Sequence, residues 1–205
     1  MSLMDYMEAV SLLNRYDINT ARSSYVKTAE EAIKFASGKS IVLKVLSDKA
    51  LHKTKSGLVA LNLKSPNEIT NAFNDLYNKA QQYSPYNILA QEMAEPGTEI
   101  IIGGNEDPQF GKTILLGLGG IYVEVFKDFS LRICPIQLKD AEEMINELKS
   151  SKIIAGMPEQ KAMLSDLLLK VSKMLVETPA IKELDLNPVL VYANNYSAVD
   201  IRILI

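Results

Sequence analysis

The spacing of apolar residues changes period several times along the chain, and this alternation limits the fold more than any other feature. From Leu3 to Tyr16, Met4, Met7, Val10, Leu12 and Leu13 recur mostly at three- and four-residue intervals, which predicts an amphipathic helix with one buried face. Thr28 and Glu31 form a capping-box pair around Ala29, Ala32, Ile33 and Ala36, so a short helix runs to about Gly38. The period then shortens. Ile41 to Leu46 is a β-branched, leucine-rich run bounded by Ser40 and Ser47, which suits a buried strand. Residues 47–57 hold one large apolar side chain among many polar ones and read as an exposed loop leading into a strand from Leu58 to Leu63.

Ser65-Pro66-Asn67-Glu68 joins an N-cap, a proline at the first helical position and a capping-box glutamate, so a helix is expected from Pro66 to about Gln82. Strands are expected at 86–93, 98–103, 112–117, 121–126 and 129–134, with turn residues between them. Helices follow at about 139–149 and 159–176, the second with a stripe of Leu164, Leu167, Leu168, Val171 and Leu175. Two closing strands near 183–192 and 197–204 flank Ala193-Asn194-Asn195-Tyr196, a polar connection that suits a hairpin. The sum is an α+β (α/β) chain: a helix, a β-α-β-β-α-β lobe to about residue 93, then a strand-rich lobe with its own helices. Two lobes imply a cleft, and ligand pockets concentrate where lobes meet.

Composition removes several functions. The net charge is −3 with no block of basic residues, so nothing collects a nucleic-acid backbone, and no nucleic-acid partner is expected. No apolar stretch approaches the roughly 20 residues needed to cross a bilayer, and MSLMDYMEAV lacks the basic start and cleavage site of a secretory signal. Cys134 stands alone, which excludes an intrachain disulfide framework and a multi-cysteine zinc site and fits the cytoplasm.

His52 is the only histidine. Its imidazole is mostly uncharged at neutral pH and able to take a phosphoryl group, though a solvated histidine beside Lys49, Lys53 and Lys55 fits the same residues. Lys44 interrupts an apolar strand, so it must reach solvent, a carboxylate or a bound anion; an edge strand facing water is the plain alternative. Gly117-Leu118-Gly119-Gly120 either lets backbone N–H groups approach an anion or makes a tight hairpin. Neither GxGxxG nor GK[ST] occurs, which disfavours two common nucleotide folds. Asp185 and Asn187 share one strand face, and the closing hairpin could set Asp200 opposite them; such oxygen donors suit Mg²⁺, although Asp and Asn also commonly do no more than solvate strand ends.

Four segments taken together carry a resemblance: VLKVLSDKALHK at 42–53, LAQEMAEPGTEIIIGGNEDPQFG at 89–111, LLGLGGIYVEVFKDFSLRICPI at 115–136, and ELDLNPVLV at 183–191 with Val199-Asp200. In these the chain resembles the nucleotide-binding, ATP-grasp subunit of the ADP-forming acetyl-CoA and acyl-CoA synthetases, relatives of succinyl-CoA synthetase. The resemblance implies an ATP-grasp fold over residues 1–205, with one lobe at about 20–93, a second at about 94–205 that includes the N-terminal helix 1–19, and ATP or ADP in the cleft between them. It implies that Lys44 contacts the phosphates, that Glu92 and Met93 lie along the adenine with Glu99 near the nucleotide, and that Asn187 and Asp200 hold Mg²⁺. It further implies that His52 is transiently phosphorylated, with Glu124 and Asp128 beside the route, and that a CoA-binding alpha subunit supplies the acyl phosphate.

The sequence departs from the family pattern after the histidine, where Lys55, Ser56, Gly57 and Leu58 replace an acidic residue and paired glycines, and at Gly38-Lys39-Ser40 before the first-lobe strand. Two other readings stand beside the resemblance: a histidine-independent ATP-grasp ligase that makes acyl phosphate directly, and a non-catalytic nucleotide-binding regulatory subunit.

Overall fold

The computed structural model describes residues 2–47, 49, 57–119 and 128–205. His52, Glu124 and the strand expected at 121–126 lie outside the described residues. The chain forms two compact units, one from residues 1–20 with 96–205 and the other from residues 21–95.

In the 21–95 unit the elements are β1 (Ser23–Val26), α2 (Ala29–Ala36), β2 (Ile41–Leu46), β3 (Val59–Leu63), α3 (Pro66–Ala80) and β4 (Asn87–Glu92). The first helix of the chain, α1 (Tyr6–Arg15), belongs to the other unit. The four strands make an antiparallel sheet in the order β1-β4-β2-β3. Both helices start as their sequences predict. The Thr28 side chain accepts from the Glu31 N–H at 3.2 Å, and Ser65 and Glu68 exchange hydrogen bonds at 3.2 and 3.0 Å. Ala32, Ala36, Ile69, Phe73, Leu76 and Ala80 then pack on Ile41, Leu43, Val45, Ile88 and Ala90, which form the helix-covered face of the sheet. By the two-residue period of a strand, Val42, Lys44, Leu89 and Gln91 lie on the opposite face.

The larger unit carries β5 (Thr98–Asp107), β6 (Gly111–Leu118), β7 (Phe129–Ile133), α4 (Leu138–Glu147), α5 (Ser151–Ile154), α6 (Pro158–Glu177), β8 (Glu183–Val191), β9 (Tyr196–Ala198) and β10 (Ile201–Leu204). Its antiparallel sheet runs β10-β8-β5-β6-β7, with β9 also on β8. The Met4 N–H donates to Ile203 O at 2.9 Å, and Leu3 bridges Leu204, so the residues before α1 join the sheet and the helix is shorter than its apolar spacing suggests. The strand expected to stop at 103 continues to Asp107 because its backbone stays paired with β6 past the end of the apolar run. The short helix α5 was not expected from the pattern. No helix among the described residues is long and apolar enough to cross a membrane.

Gly104 marks how closely α6 approaches this sheet. A Cβ there would lie 2.8 and 2.9 Å from the two Leu175 methyls and 3.2 Å from Leu184 Cβ. Gly104→Ala should therefore destabilise the unit by about 1–3 kcal/mol through overpacking. A lower urea midpoint with an unchanged slope would show this, and an unchanged midpoint would contradict it.

Candidate functional site

The end of the large sheet is built where the side-chain alternation slips. β8 pairs with β10 over Glu183–Leu186 and with β9 over Val189–Val191. Between those stretches the Asn187 N–H donates to Asp200 O at 3.1 Å and the Val199 N–H to Pro188 O at 3.0 Å, so Asn187 faces Asp200 directly. On the other side of β8 the register with β5 shifts between Ile100 and Ile102, which leaves β8 with one extra residue. Burial records the same slip: Leu184 and Leu186 are buried, then Val189 and Val191, while across the pair Ile203 and Ile201 give way to Ala198 and Tyr196. A bulge of this kind re-aims side chains at a chosen point, and here it falls on Asn187 and Asp200.

Asp185 stands two residues before Asn187 with Arg202 opposite it. Burial pushes the Asp185 carboxyl above the ordinary range, the charge of Asp200 adds to this, and Arg202 opposes it. The two carboxylates of Asp185 and Asp200, beside the amide oxygen of Asn187, form a hard-oxygen donor set that fits Mg²⁺, which typically takes one or two carboxylates plus phosphate oxygens. No group of three or more His, Cys, Asp or Glu side chains is placed to hold a metal among the described residues, so these residues offer a sparse site and not a cage.

Glu99 lies on β5 opposite Leu190, and its carbonyl accepts the Gly119 N–H at 2.7 Å. A Cβ at Gly119 would come within 2.8 Å of the Glu99 backbone, so close chain approach explains this glycine, and its N–H serves Glu99 and not an anion. Asp128 lies on the other side of this end of β6, its carbonyl accepting from the Leu118 N–H at 3.4 Å. Its buried carboxylate accepts the N–H groups of Lys149 and Ser150 at 2.8 and 2.9 Å, which ends α4 earlier than the sequence suggests and starts α5. Burial raises the Asp128 pKa, but hydrogen bonds from Ser150 and the Lys149 backbone outweigh it, and the net shift is downward.

In the 21–95 unit, Lys44 sits opposite Leu89 of β4 and Val59 of β3, so its strand is interior to the sheet and the edge-strand reading is excluded. It is only 7% exposed. Glu92, at the end of β4, pairs with Lys39 at 2.5 Å and Arg22 at 3.1 Å, and hydrogen bonds from Lys39 and then Arg22 hold its carboxyl below the ordinary range. The Arg22 guanidinium also donates to Phe35 O at 2.8 Å and lies 4.1 Å from the centre of the Phe35 ring. The Met93 N–H donates to Ser40 O at 2.9 Å. Arg22 and Lys39 escaped the sequence reading because they reach Glu92 only through the β1–β4 and β2–β4 pairing, and no local spacing announces that.

The described residues on either side of the 50–56 stretch are anchored to the rest of their unit. Ser47 Oγ donates to Tyr83 O at 2.6 Å, and Lys49 Nζ donates to Ser84 O. On the far side Leu58 is fully buried and its carbonyl accepts the Val45 N–H at 2.9 Å. The structure thus gathers Asn187, Asp200 and Asp185 at one place, Glu99 and Asp128 on either side of the end of β6, and Glu92 and Met93 on one strand end, one strand away from Lys44.

Residues 1–205 match the ATP-grasp domain family. The beta subunit of acetate–CoA ligase [ADP-forming] II from Pyrococcus furiosus is 41% identical, over 100% of this chain and 92% of its own length. In acetate–CoA ligase [ADP-forming] I from Archaeoglobus fulgidus, 38% identical over 97% of this chain, the matching part is 30% of a longer polypeptide. Among solved structures, acetyl-coenzyme A synthetase 1 from Ca. Korarchaeum cryptofilum has been determined with coenzyme A and Mg-AMPPCP, its phosphohistidine segment pointing towards the nucleotide binding site. It aligns with a TM-score of 0.86 and 36% identity over 99% of this chain and 92% of that one.

Proposed function

The chain belongs to the ATP-grasp domain family, and from that premise we propose that it is the nucleotide-binding subunit of an ADP-forming acyl-CoA synthetase, which catalyses acyl-CoA + Pi + ADP = acid + CoA + ATP. The observation that carries this reading is the facing of Asn187 and Asp200 at the strand slip, with the raised acid Asp185 beside them. Whole-length similarity to ligase beta subunits supports it. The beta-subunit naming supports a hetero-oligomer with a separate CoA-binding alpha subunit, and the lone Cys134 supports a cytoplasmic location.

Lys44 contacts the nucleotide phosphates, where a buried ammonium is worth more than one in water. Glu92 and Met93 set the strand end along the adenine, with Lys39 and Arg22 holding Glu92 in place, and Glu99 borders the nucleotide. Asn187 and Asp200 hold Mg²⁺, which when bound neutralises charge on the phosphoryl oxygens. The imidazole of His52 accepts the phosphoryl group by forming a P–N bond as the donor's P–O or P–N bond breaks. A terminal phosphate oxygen of ADP then forms the new P–O bond as the imidazole leaves. Glu124 acts beside this route. Asp128 acts through position, since both its carboxylate oxygens are taken by the turn at 149–150.

The test is to incubate the protein with Mg²⁺ and γ-labelled ATP and to look for an acid-labile, base-stable phosphoryl adduct. Label on the peptide that contains His52 is the expected result. An acid-stable adduct elsewhere, or no adduct with or without the CoA-binding subunit although nucleotide binds, would overturn the reading.

A further inference from the structure

Strand β7 is the last strand of its sheet, and among the described residues it pairs only with β6. Phe129, Leu131 and Ile133 alternate along it and are 49%, 52% and 52% exposed. Edge strands are usually protected by a charge, a proline or a bulge. The one charged residue of this strand, Arg132, lies on the opposite face and is held by Glu147. Among the described residues, the outward face of β7 is therefore apolar and carries no charge.

That face is also the face of the candidate site. Directly opposed residues of antiparallel strands project to the same side, and one row crosses the sheet from Arg202 and Asp185 through Gly103 and Leu115 to Leu131. Gly103 contributes no side chain to this row, so the surface stays low between the acidic end and the apolar end. The opposite row, Leu184-Gly104-Ile114-Arg132, faces the helices, with Leu175 of α6 packed on Gly104.

We infer that the apolar face of Phe129, Leu131 and Ile133 is the docking surface for the CoA-binding subunit. The inference rests on the proposed function above. Two observations choose this occupant over a second copy of the chain. The same domain exists as a separate subunit, where it fills 92% of the relative, and as 30% of a fused polypeptide, so it needs a surface to receive the remainder in either arrangement. The apolar face lies on the same side of the sheet as Asp185, so a partner seated there brings its CoA site to the face that carries the candidate metal ligands, and a second copy would bring no CoA site.

The experiment mixes the purified chain with its cognate CoA-binding subunit and measures the dissociation constant by calorimetry and the mass by light scattering. Leu131→Glu should weaken the complex on the order of tenfold or more, as expected for a charge placed in an interface core, with nucleotide binding by the isolated chain unchanged. Ile133→Ser provides a milder second variant, expected to weaken the complex less, and circular dichroism checks both folds. Wild-type affinity in both folded variants would overturn the docking face alone. A wild-type homodimer that Leu131→Glu turns into a monomer would assign the face to a second copy and overturn the partner. A wild-type chain that binds no CoA-binding subunit would overturn the proposed function along with it.

Discussion

Replacing His52 by alanine is expected to abolish ATP formation from acyl-CoA, phosphate and ADP, with kcat falling by at least about 10⁴-fold. The size follows from the sequence: His52 is the only histidine in the chain, so no neighbouring imidazole can take over as phosphoryl acceptor. Nucleotide affinity should stay within about threefold of wild type, because the residues assigned to the nucleotide are others in the sequence and the substitution removes no uniform binding. Steady-state turnover with the CoA-binding subunit present, alongside calorimetric ADP binding, separates the two effects. Full turnover in the variant would favour a histidine-independent ligase. Unchanged nucleotide binding with no turnover even in the wild-type complex would favour a regulatory subunit.

Asp200→Asn should cost about 10²–10³-fold in turnover and raise the Mg²⁺ concentration needed for half-maximal rate. The substitution preserves shape and leaves the backbone bond from Asn187 N–H to the carbonyl of residue 200 in place, so the loss reports charge. It also changes its neighbour. Asp185 is held above its ordinary pKa first by burial and then by the charge of Asp200, so removing that charge should lower the Asp185 pKa. The stability consequence has a definite sign. A carboxyl whose folded pKa is raised binds more protons folded than unfolded, so stability falls as the pH rises from the ordinary carboxylate range through the raised value. Asp200→Asn should reduce that fall and make the apo protein more stable at neutral pH. An unchanged Mg²⁺ requirement would remove Asp200 from the metal site, and an unchanged pH dependence of stability would remove its coupling to Asp185.

Much of this fold could be read from periodicity and caps. The helix at 66–80 begins where Ser65, Pro66 and Glu68 announce it, and the strand at 41–46 matches its apolar run, because in both cases the determining groups are local in sequence. The misses have non-local causes. The last strand appears as β9 and β10 because the slip opposite Asn187-Pro188 breaks it, and the α4 boundary moves because Asp128 captures the N–H groups of Lys149 and Ser150 from 21 and 22 residues away. At the candidate site, Asp185, Asn187 and Asp200 were legible as strand neighbours. Arg22 and Lys39 were not, since only sheet register brings them to Glu92.

The Arg22–Glu92 contact joins the beginning and the end of the 21–95 unit, and it is reinforced by the Glu92 N–H donating to Arg22 O at 2.9 Å. A module whose two ends meet within one hydrogen bond can be set into a host chain at a single point without stretching the host, as insertions are best tolerated where termini are close. The unit therefore has the form of an inserted cassette fastened at its own neck. That fastening consists of one arginine, one glutamate and their paired backbone.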